Sequence, residues 1–289
     1  MAQTHSSGPL YEASGIKQPY HLVDPSPWPL VGALAAGLMA GGMVLFMHGH
    51  GYLLLALGAL AVLGTMAVWW RDVISESVEK HLHTPVVKIG LRYGMALFIA
   101  SEVMFFSAFF WAYFDGALFY DEAIQAARVQ ATGGVWPPKG TLAIDPFDMP
   151  LMMTVILLLS GTTVTWAHHA VLEGKQSQAV QALVWTVLLG IMFTGFQAYE
   201  YVHAPFGFKD NIFSGAFFMA TGFHGFHVMI GTIFLAVCLF RAKAGHFTPK
   251  SHFGLEAAAW YWHFVDVVWL FLFVSIYWWG SSNAVIAHH

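Results

Sequence analysis

The stretch ALFIASEVMFFSAFFW, residues 96–111, decides the fold class of this chain. It is apolar and rich in aromatic residues, and its single ionisable residue is Glu102. Arg92 precedes Glu102 by about ten residues, which is roughly 15 Å along an α-helix. Because a hydrocarbon layer is about 30 Å thick, the pattern predicts a membrane-spanning helix with Glu102 near its middle.

The composition extends this interpretation to the whole chain. The 289 residues are 57% hydrophobic and only 10% charged, whereas a soluble domain carries about 25% charged residues. The net charge of −4 without a basic cluster argues against nucleic acid as a partner. Cys238 is the single cysteine, so no disulfide can form within the chain. We therefore predict an all-α integral membrane protein.

Apolar runs predict seven transmembrane helices, near 29–47, 52–70, 93–114, 150–170, 180–203, 211–240 and 255–280. A charged hinge, RDVISESVEKHLHTPVVKIGLR, separates the first two helices from the other five, and the longest connection covers 115–149. We expect three parts. They are a polar N-terminal segment (1–28), a unit of two helices with the hinge (29–91) and a five-helix bundle (92–289).

The lysine and arginine residues predict the orientation in the membrane. With the N-terminus inside, nine of them fall on the inner face: Lys17, Arg71, Lys80, Lys88, Arg92, Lys175, Arg241, Lys243 and Lys250. Three are left for the outer face: Arg128, Lys139 and Lys209. Cytoplasmic loops are enriched in these residues, so we expect the N-terminus inside and the C-terminus outside.

Glu102 allows two interpretations. An ionised carboxylate is costly in a medium of low dielectric, and the neighbours of Glu102 at helical spacing include no cation: Phe98, Ile99, Phe105 and Phe106. This favours a neutral acid. It is either a structural group hydrogen-bonded to a nearby helix or a functional carboxyl group that faces a cleft.

Histidines in or at the ends of the spans could ligate haem or a metal: His168, His169, His203, His224, His227 and His263. His224 and His227 share one helix face, so a two-histidine site is geometrically allowed. The segment ATGFHGFHVMIG that contains them also suits histidines that hydrogen-bond to neighbouring helices.

The acids of the last spans have simpler interpretations. Glu200 lies near a span boundary, and we expect it to be solvated or paired. Glu256 begins the seventh span, where the helix dipole favours an anion. His263 and Asp266 are three residues apart, and we expect a buried, structural pair.

Trp69, Trp70 and Arg71 mark the inner interface of the second span. Together with His83 and Arg241 on the same face, they could bind lipid phosphates.

Motifs along the chain resemble those of one family: DPSPWPL, WWRDV, HTP, GLRYGM, SEVMFF, WPP, TWAHH, HAPF, ATGFHGFHV and HFGLEAAAWYWHFVDVVWLFLFVSIYWWG. From about residue 18 to 281 the chain resembles cytochrome c oxidase subunit III of the haem–copper oxidases. The resemblance implies seven helices, with the two N-terminal ones separated from a five-helix bundle by a V-shaped, lipid-filled cleft. It implies a non-redox subunit that stabilises the catalytic subunit, supports proton uptake and offers a proposed dioxygen route.

The same resemblance implies the partners and the site residues. Haem and copper belong to subunits I and II, so no residue of this chain is catalytic or binds a metal, and phospholipids are bound. Glu102 matches the family's intramembrane glutamate at the cleft, and His21 matches a position near proton entry. The positions associated with phospholipids are Trp70, Glu76, His83, Arg241 and His246.

Two features depart from mitochondrial relatives: Ser75 replaces an arginine, and the 115–149 loop is longer. With the long N-terminal tail, the loop favours a bacterial cytoplasmic (inner) membrane over the alternative, the mitochondrial inner membrane. Two rival functions stay open. One is a quinol oxidase subunit of the same superfamily, and the other is a stand-alone haem or metal enzyme that uses His224, His227 and His263.

Overall fold

A computed structural model describes residues 20–21, 23–122, 126–282 and 285–287. Seven helices are long and apolar enough to cross a membrane, which confirms the predicted all-α membrane protein. They are α1 (Trp28–Met47), α2 (Leu53–Val78), α3 (Pro85–Leu118), α5 (Met149–Leu172), α6 (Gln176–His203), α7 (Ile212–Lys243) and α8 (Phe253–Leu272). A short α4 (Ala126–Thr132) precedes α5, and a π-helical segment (Phe273–Trp279) continues α8.

The chain divides into two compact units, Met1–Leu91 and Arg92–His289. In the first unit, α1 and α2 pack with their backbones in contact. A Cβ atom added to Gly42 would lie 2.4 Å from the backbone nitrogen of Leu55, and one added to Gly58 would lie 2.5 Å from that of Met39. Small residues allow such a close approach. Because the hydrophobic effect does not drive helices together within lipid, the dispersion contacts made at this distance stabilise the pair.

The predicted hinge at 71–92 is wrong in its extent. α2 continues through its charged end to Val78, and α3 already begins at Pro85. The hydroxyl group of Thr84 accepts a hydrogen bond from the Val87 backbone amide (3.3 Å), as a residue that precedes a helix does. Proline is well tolerated in a first helical turn because its missing N–H has no intrahelical partner there. Hydropathy marks the apolar part of a helix and therefore misses these polar turns.

The second unit is organised around α8, which is the most buried of the seven spans. Trp262 and Trp269 are fully buried and lie against α5. Their indole N–H groups donate hydrogen bonds to the hydroxyl groups of Ser160 and Thr154, each at 2.8 Å. The α7 backbone passes directly over one of these rings, because a Cβ atom on Gly231 would lie 2.8 Å from Trp262. Buried indoles thus find partners on a neighbouring helix.

The long connection before α5 is partly ordered into short elements. It contains α4 and the strand β1 (Leu142–Ile144), which pairs in parallel with β2 (Val285–Ala287). Arg128 of α4 forms an ion pair with Asp115 near the end of α3. These contacts attach the connection to the bundle, and the two three-residue strands are a small addition to the predicted all-α fold.

We expect Gly58→Ala to destabilise the α1–α2 packing, because the new methyl group would overlap the α1 backbone. Overpacking of this kind costs about 1–3 kcal/mol. Gly64→Ala is the matched control, since a Cβ atom there meets nothing within 4 Å. Thermal unfolding of the purified variants in detergent should show a lower midpoint for Gly58→Ala alone. Equal midpoints would contradict the close approach.

Candidate functional site

Glu102 has its partner on another helix. It lies near the middle of α3, and its Oε2 is 2.8 Å from Nε2 of His227 on α7. The side chains of Glu102 and His227 are 20% and 10% exposed. The sequence shows no cation near Glu102 along its own helix, and it leaves open whether His227 ligates a metal or hydrogen-bonds to a neighbouring helix. Sequence spacing carries no signal for a contact between residues so far apart in the chain.

The second ring nitrogen of His227 fixes where one proton lies. Nδ1 is 2.6 Å from the backbone oxygen of Phe223. A carbonyl oxygen only accepts hydrogen bonds, so Nδ1 carries a proton and donates it. One further proton then lies between Nε2 and Glu102. The pair is either a neutral acid with a neutral imidazole or a carboxylate with an imidazolium, and both forms have zero net charge.

Aromatic rings surround this pair. The ring centroids of Phe105, Phe106, Tyr261 and Phe264 lie 4.9–6.4 Å from that of His227. These rings come from α3 and α8 and exclude most polar groups from the contact. The surroundings have a low dielectric, in which hydrogen bonds and charge pairs are strong. The arrangement can hold one proton inside the apolar part of the second unit.

An ion pair between Arg92 and Glu256 joins α3 to the start of α8. The Arg92 guanidinium group donates three hydrogen bonds of 2.9–3.0 Å to both carboxylate oxygens of Glu256. This bidentate geometry is the strongest that an arginine and a carboxylate form. The sequence indicates only a favourable helix dipole at Glu256 and contains no signal for this ion pair.

In the first unit, three predicted site residues come together. His21 Nε2 lies 3.5 Å from Glu76 Oε2, and the His21 ring centroid is 6.4 Å from that of His83. The family resemblance implied proton entry for His21 and lipid binding for Glu76 and His83, whereas all three lie in one cluster. Trp70, predicted to bind lipid as well, is 60% exposed and apart from these contacts.

His83 is the member of this cluster with a shifted proton affinity. Burial lowers its pKa below the ordinary value of 6.5, and the nearby His21 lowers it further. Lys88 adds to this effect, while the carboxylate of Glu76 opposes it. The neutral imidazole is therefore favoured in the folded protein.

Arg241 and His246 lie at the end of α7 and just beyond it. The Arg241 guanidinium carbon is 4.6 Å from the centroid of the Phe247 ring. Gly254 makes room for it, because a Cβ atom there would lie 2.3 Å from Nη1. Within the described residues, Nε of Arg241 and Nδ1 of His246 are buried without hydrogen-bond partners. Arg241 thus retains a donor N–H for an anionic group, and His246 retains a ring nitrogen that donates when it carries a proton.

The predicted buried pair of His263 and Asp266 needs a correction. The contact is present, with Nδ1 of His263 3.3 Å from Oδ2 of Asp266. The Asp266 side chain is buried, but that of His263 is 46% exposed. His263 lies on a partly exposed side of α8, where its Nε2 also lies 3.1 Å from the Thr165 hydroxyl group of α5.

The two histidines of α7 that were considered as metal ligands contact other groups. His224 is fully buried, and its Nε2 lies 3.2 Å from the Val265 backbone oxygen. His227 is occupied by Glu102 and Phe223. Among the described residues, no group of three or more ligand side chains is arranged to hold a metal ion.

Comparisons with known proteins confirm the resemblance seen in the sequence. The family model described as "Cytochrome c oxidase subunit III" matches residues 18–281. The cytochrome c oxidase subunit 3 of Marchantia polymorpha is 59% identical over 268 residues, which cover 92% of this chain and 98% of that protein. The subunits of Cyprinus carpio and Arabidopsis thaliana are 56% and 58% identical and cover 91% of this chain, with 97% of each relative matched.

We expect Glu102→Leu to destabilise the second unit more than Glu102→Gln. Leucine leaves Nε2 of His227 without its partner, whereas the glutamine amide can still donate to it. Hydrogen bonds between membrane helices contribute about 1–2 kcal/mol at most. Thermal unfolding in detergent should therefore rank the wild type and Glu102→Gln above Glu102→Leu. A Glu102→Leu midpoint equal to that of Glu102→Gln would contradict a stabilising pair.

We expect His83 to titrate below 6.5 in the folded protein. The folded state then binds this proton less readily than the unfolded chain, so the contribution of His83 lowers stability as the pH falls below 6.5. Histidine-labelled NMR titration checks the sign. Removing an opposing charge with Glu76→Gln should lower the His83 pKa further, and His21→Gln should raise it. A pKa that does not respond to either variant would contradict the cluster.

Proposed function

Because the chain belongs to the cytochrome c oxidase subunit III family, we propose that it is the third core subunit of a proton-pumping cytochrome c oxidase. The observation that carries this proposal is the family match over residues 18–281. The complex oxidises cytochrome c and reduces dioxygen to water, with haem and copper held by subunits I and II. This chain is a non-redox subunit that stabilises the catalytic subunit during turnover.

The proposed support of proton uptake rests on the cluster of His21, Glu76 and His83. These are titratable groups at the end of α2, and two of them are imidazoles. Imidazole and carboxylate groups can bind and release protons, so a cluster of them at the membrane surface can exchange protons with water. The positive-inside bias supports an inner location for this end of the chain.

Phospholipid binding is the second part of the proposal. Arg241 carries a guanidinium group with an unused buried N–H, and His246 has an unused buried ring nitrogen. Guanidinium groups pair well with phosphate oxygens. We propose that Arg241 and His246 bind a phospholipid headgroup. In the first unit, we propose that lipid is bound by Trp70, Glu76 and His83.

We propose further that the lipid lies in a V-shaped cleft. The same cleft is the proposed dioxygen route, and Glu102 is its carboxyl group.

We propose the cytoplasmic membrane of a bacterium as the location, with the N-terminus inside. The distribution of Lys and Arg supports the orientation. The long 115–149 connection supports a bacterial source, and the mitochondrial inner membrane is the alternative.

Purification of the tagged chain in mild detergent tests the function. Partners are identified by mass spectrometry, and a visible spectrum is recorded before and after the chain is released from them. We expect larger partners that carry the haem and a colourless released chain. A released chain that retains haem would overturn the proposal and favour the stand-alone enzyme. Oxidation of quinol instead of cytochrome c by the complex would favour the quinol oxidase.

We expect Arg241→Ala to weaken phospholipid retention, because it removes the proposed phosphate partner. Lys243→Ala is the matched control, since it removes the same charge from the same end of α7 on an exposed side chain. Lipid extracted from the purified complexes is quantified by mass spectrometry. Equal lipid content in wild type and Arg241→Ala would contradict the headgroup contact.

A further inference from the structure

A second buried acid, Glu200, lies in the last turn of α6 and has no part in the function proposed above. Only 4% of its surface is exposed. Its Oε2 accepts hydrogen bonds from the Tyr277 hydroxyl group (2.8 Å) and the Gln197 side-chain amide (3.2 Å). Within the described residues, its other oxygen, Oε1, is buried and has no partner. The expectation of a solvated group is wrong, and the alternative of a paired group holds for one oxygen.

Gln197 supplies a second unsatisfied acceptor. It is 5% exposed, and its amide nitrogen is directed at Glu200. Its Oε1 is therefore turned away from that contact, and it too is buried without a partner in the described part of the chain. Two buried acceptor oxygens one helical turn apart are an exception to the rule that buried polar groups are satisfied. These two oxygens therefore indicate a hydrogen-bond donor that does not belong to the polypeptide.

The charge around Glu200 restricts its protonation state. The titratable side chains that face it are Tyr277 and Tyr201, and among the described residues no lysine, arginine or histidine pairs with it. The Thr221 hydroxyl group donates to the Phe217 carbonyl oxygen, so the Tyr201 hydroxyl group donates to Thr221 and is not available to Glu200. An ionised carboxylate inside a membrane bundle without a cation is costly.

We propose that Glu200 is a proton-binding site with an enclosed water molecule. The acid is neutral and carries its proton on Oε1, because Oε2 already accepts two hydrogen bonds. The water accepts the hydrogen bond from Oε1 and donates one to Oε1 of Gln197, which satisfies both buried oxygens. Buried waters typically bridge such groups. Tyr277 belongs to the π-helical segment, and π-helical turns occur frequently at functional sites.

Infrared difference spectroscopy of the purified complex tests the proposal. The wild-type minus Glu200→Gln spectrum should contain a positive carbonyl-stretching band of a protonated carboxylic acid that shifts to lower frequency in D₂O. An O–H stretching band that is sensitive to H₂¹⁸O should disappear in the same variant. Glu256→Gln is the matched control, because Glu256 is held by Arg92 as a carboxylate and its difference spectrum should contain carboxylate bands only.

Two results would overturn the proposal. Carboxylate bands in place of the carbonyl band would mean that Glu200 is ionised, and a response of those bands to replacement of sodium by choline would identify a cation as the ligand. A carbonyl band without an H₂¹⁸O-sensitive O–H band would overturn the enclosed water.

If Glu200→Gln does not fold, Tyr277→Phe provides the test. Loss of one hydrogen bond to Oε2 should move the carbonyl band to higher frequency, and an unchanged spectrum would contradict the site.

Discussion

The polar side chains of this protein must find their partners within the protein, because a hydrocarbon layer offers none. This constraint explains why the helices of the second unit are joined by so many side-chain contacts. Trp262 and Trp269 donate to hydroxyl groups on α5, and His227 contacts Glu102 on α3. Each contact links two helices. The few polar residues therefore determine which helix faces meet, although apolar packing supplies most of the contact area.

The sequence predicts the helices well because hydropathy and chain length are properties of single segments. All seven apolar runs are helices, and the family assignment follows from motifs that cover most of the chain. The ends of α2 and α3 were harder to predict. The residues between Arg71 and Arg92 are polar enough to leave the hydrocarbon, yet most of them remain helical. Helix formation depends on backbone hydrogen bonds, and these continue into the interface.

The candidate site was predictable only in part. Glu102 is conspicuous because a carboxyl group in an aromatic run has no local partner. Its contact with His227 depends on the packing of α3 against α7, which no spacing in the sequence encodes. Glu200 shows the opposite error. Its position near the end of a span suggested access to water, but the group is buried beside Tyr277, whose ring packs against Phe217.

The hydrogen bond from His227 to the Phe223 carbonyl oxygen has an electrical consequence. Since Nδ1 is already protonated, the proton between Glu102 and His227 can lie on either atom while the pair stays uncharged. Moving it from the carboxyl oxygen to Nε2 enlarges a local dipole without adding a net charge to the low-dielectric interior. A charge that appears elsewhere in the membrane would thus be stabilised by movement of this proton within the pair, and no proton would be taken from the aqueous phase.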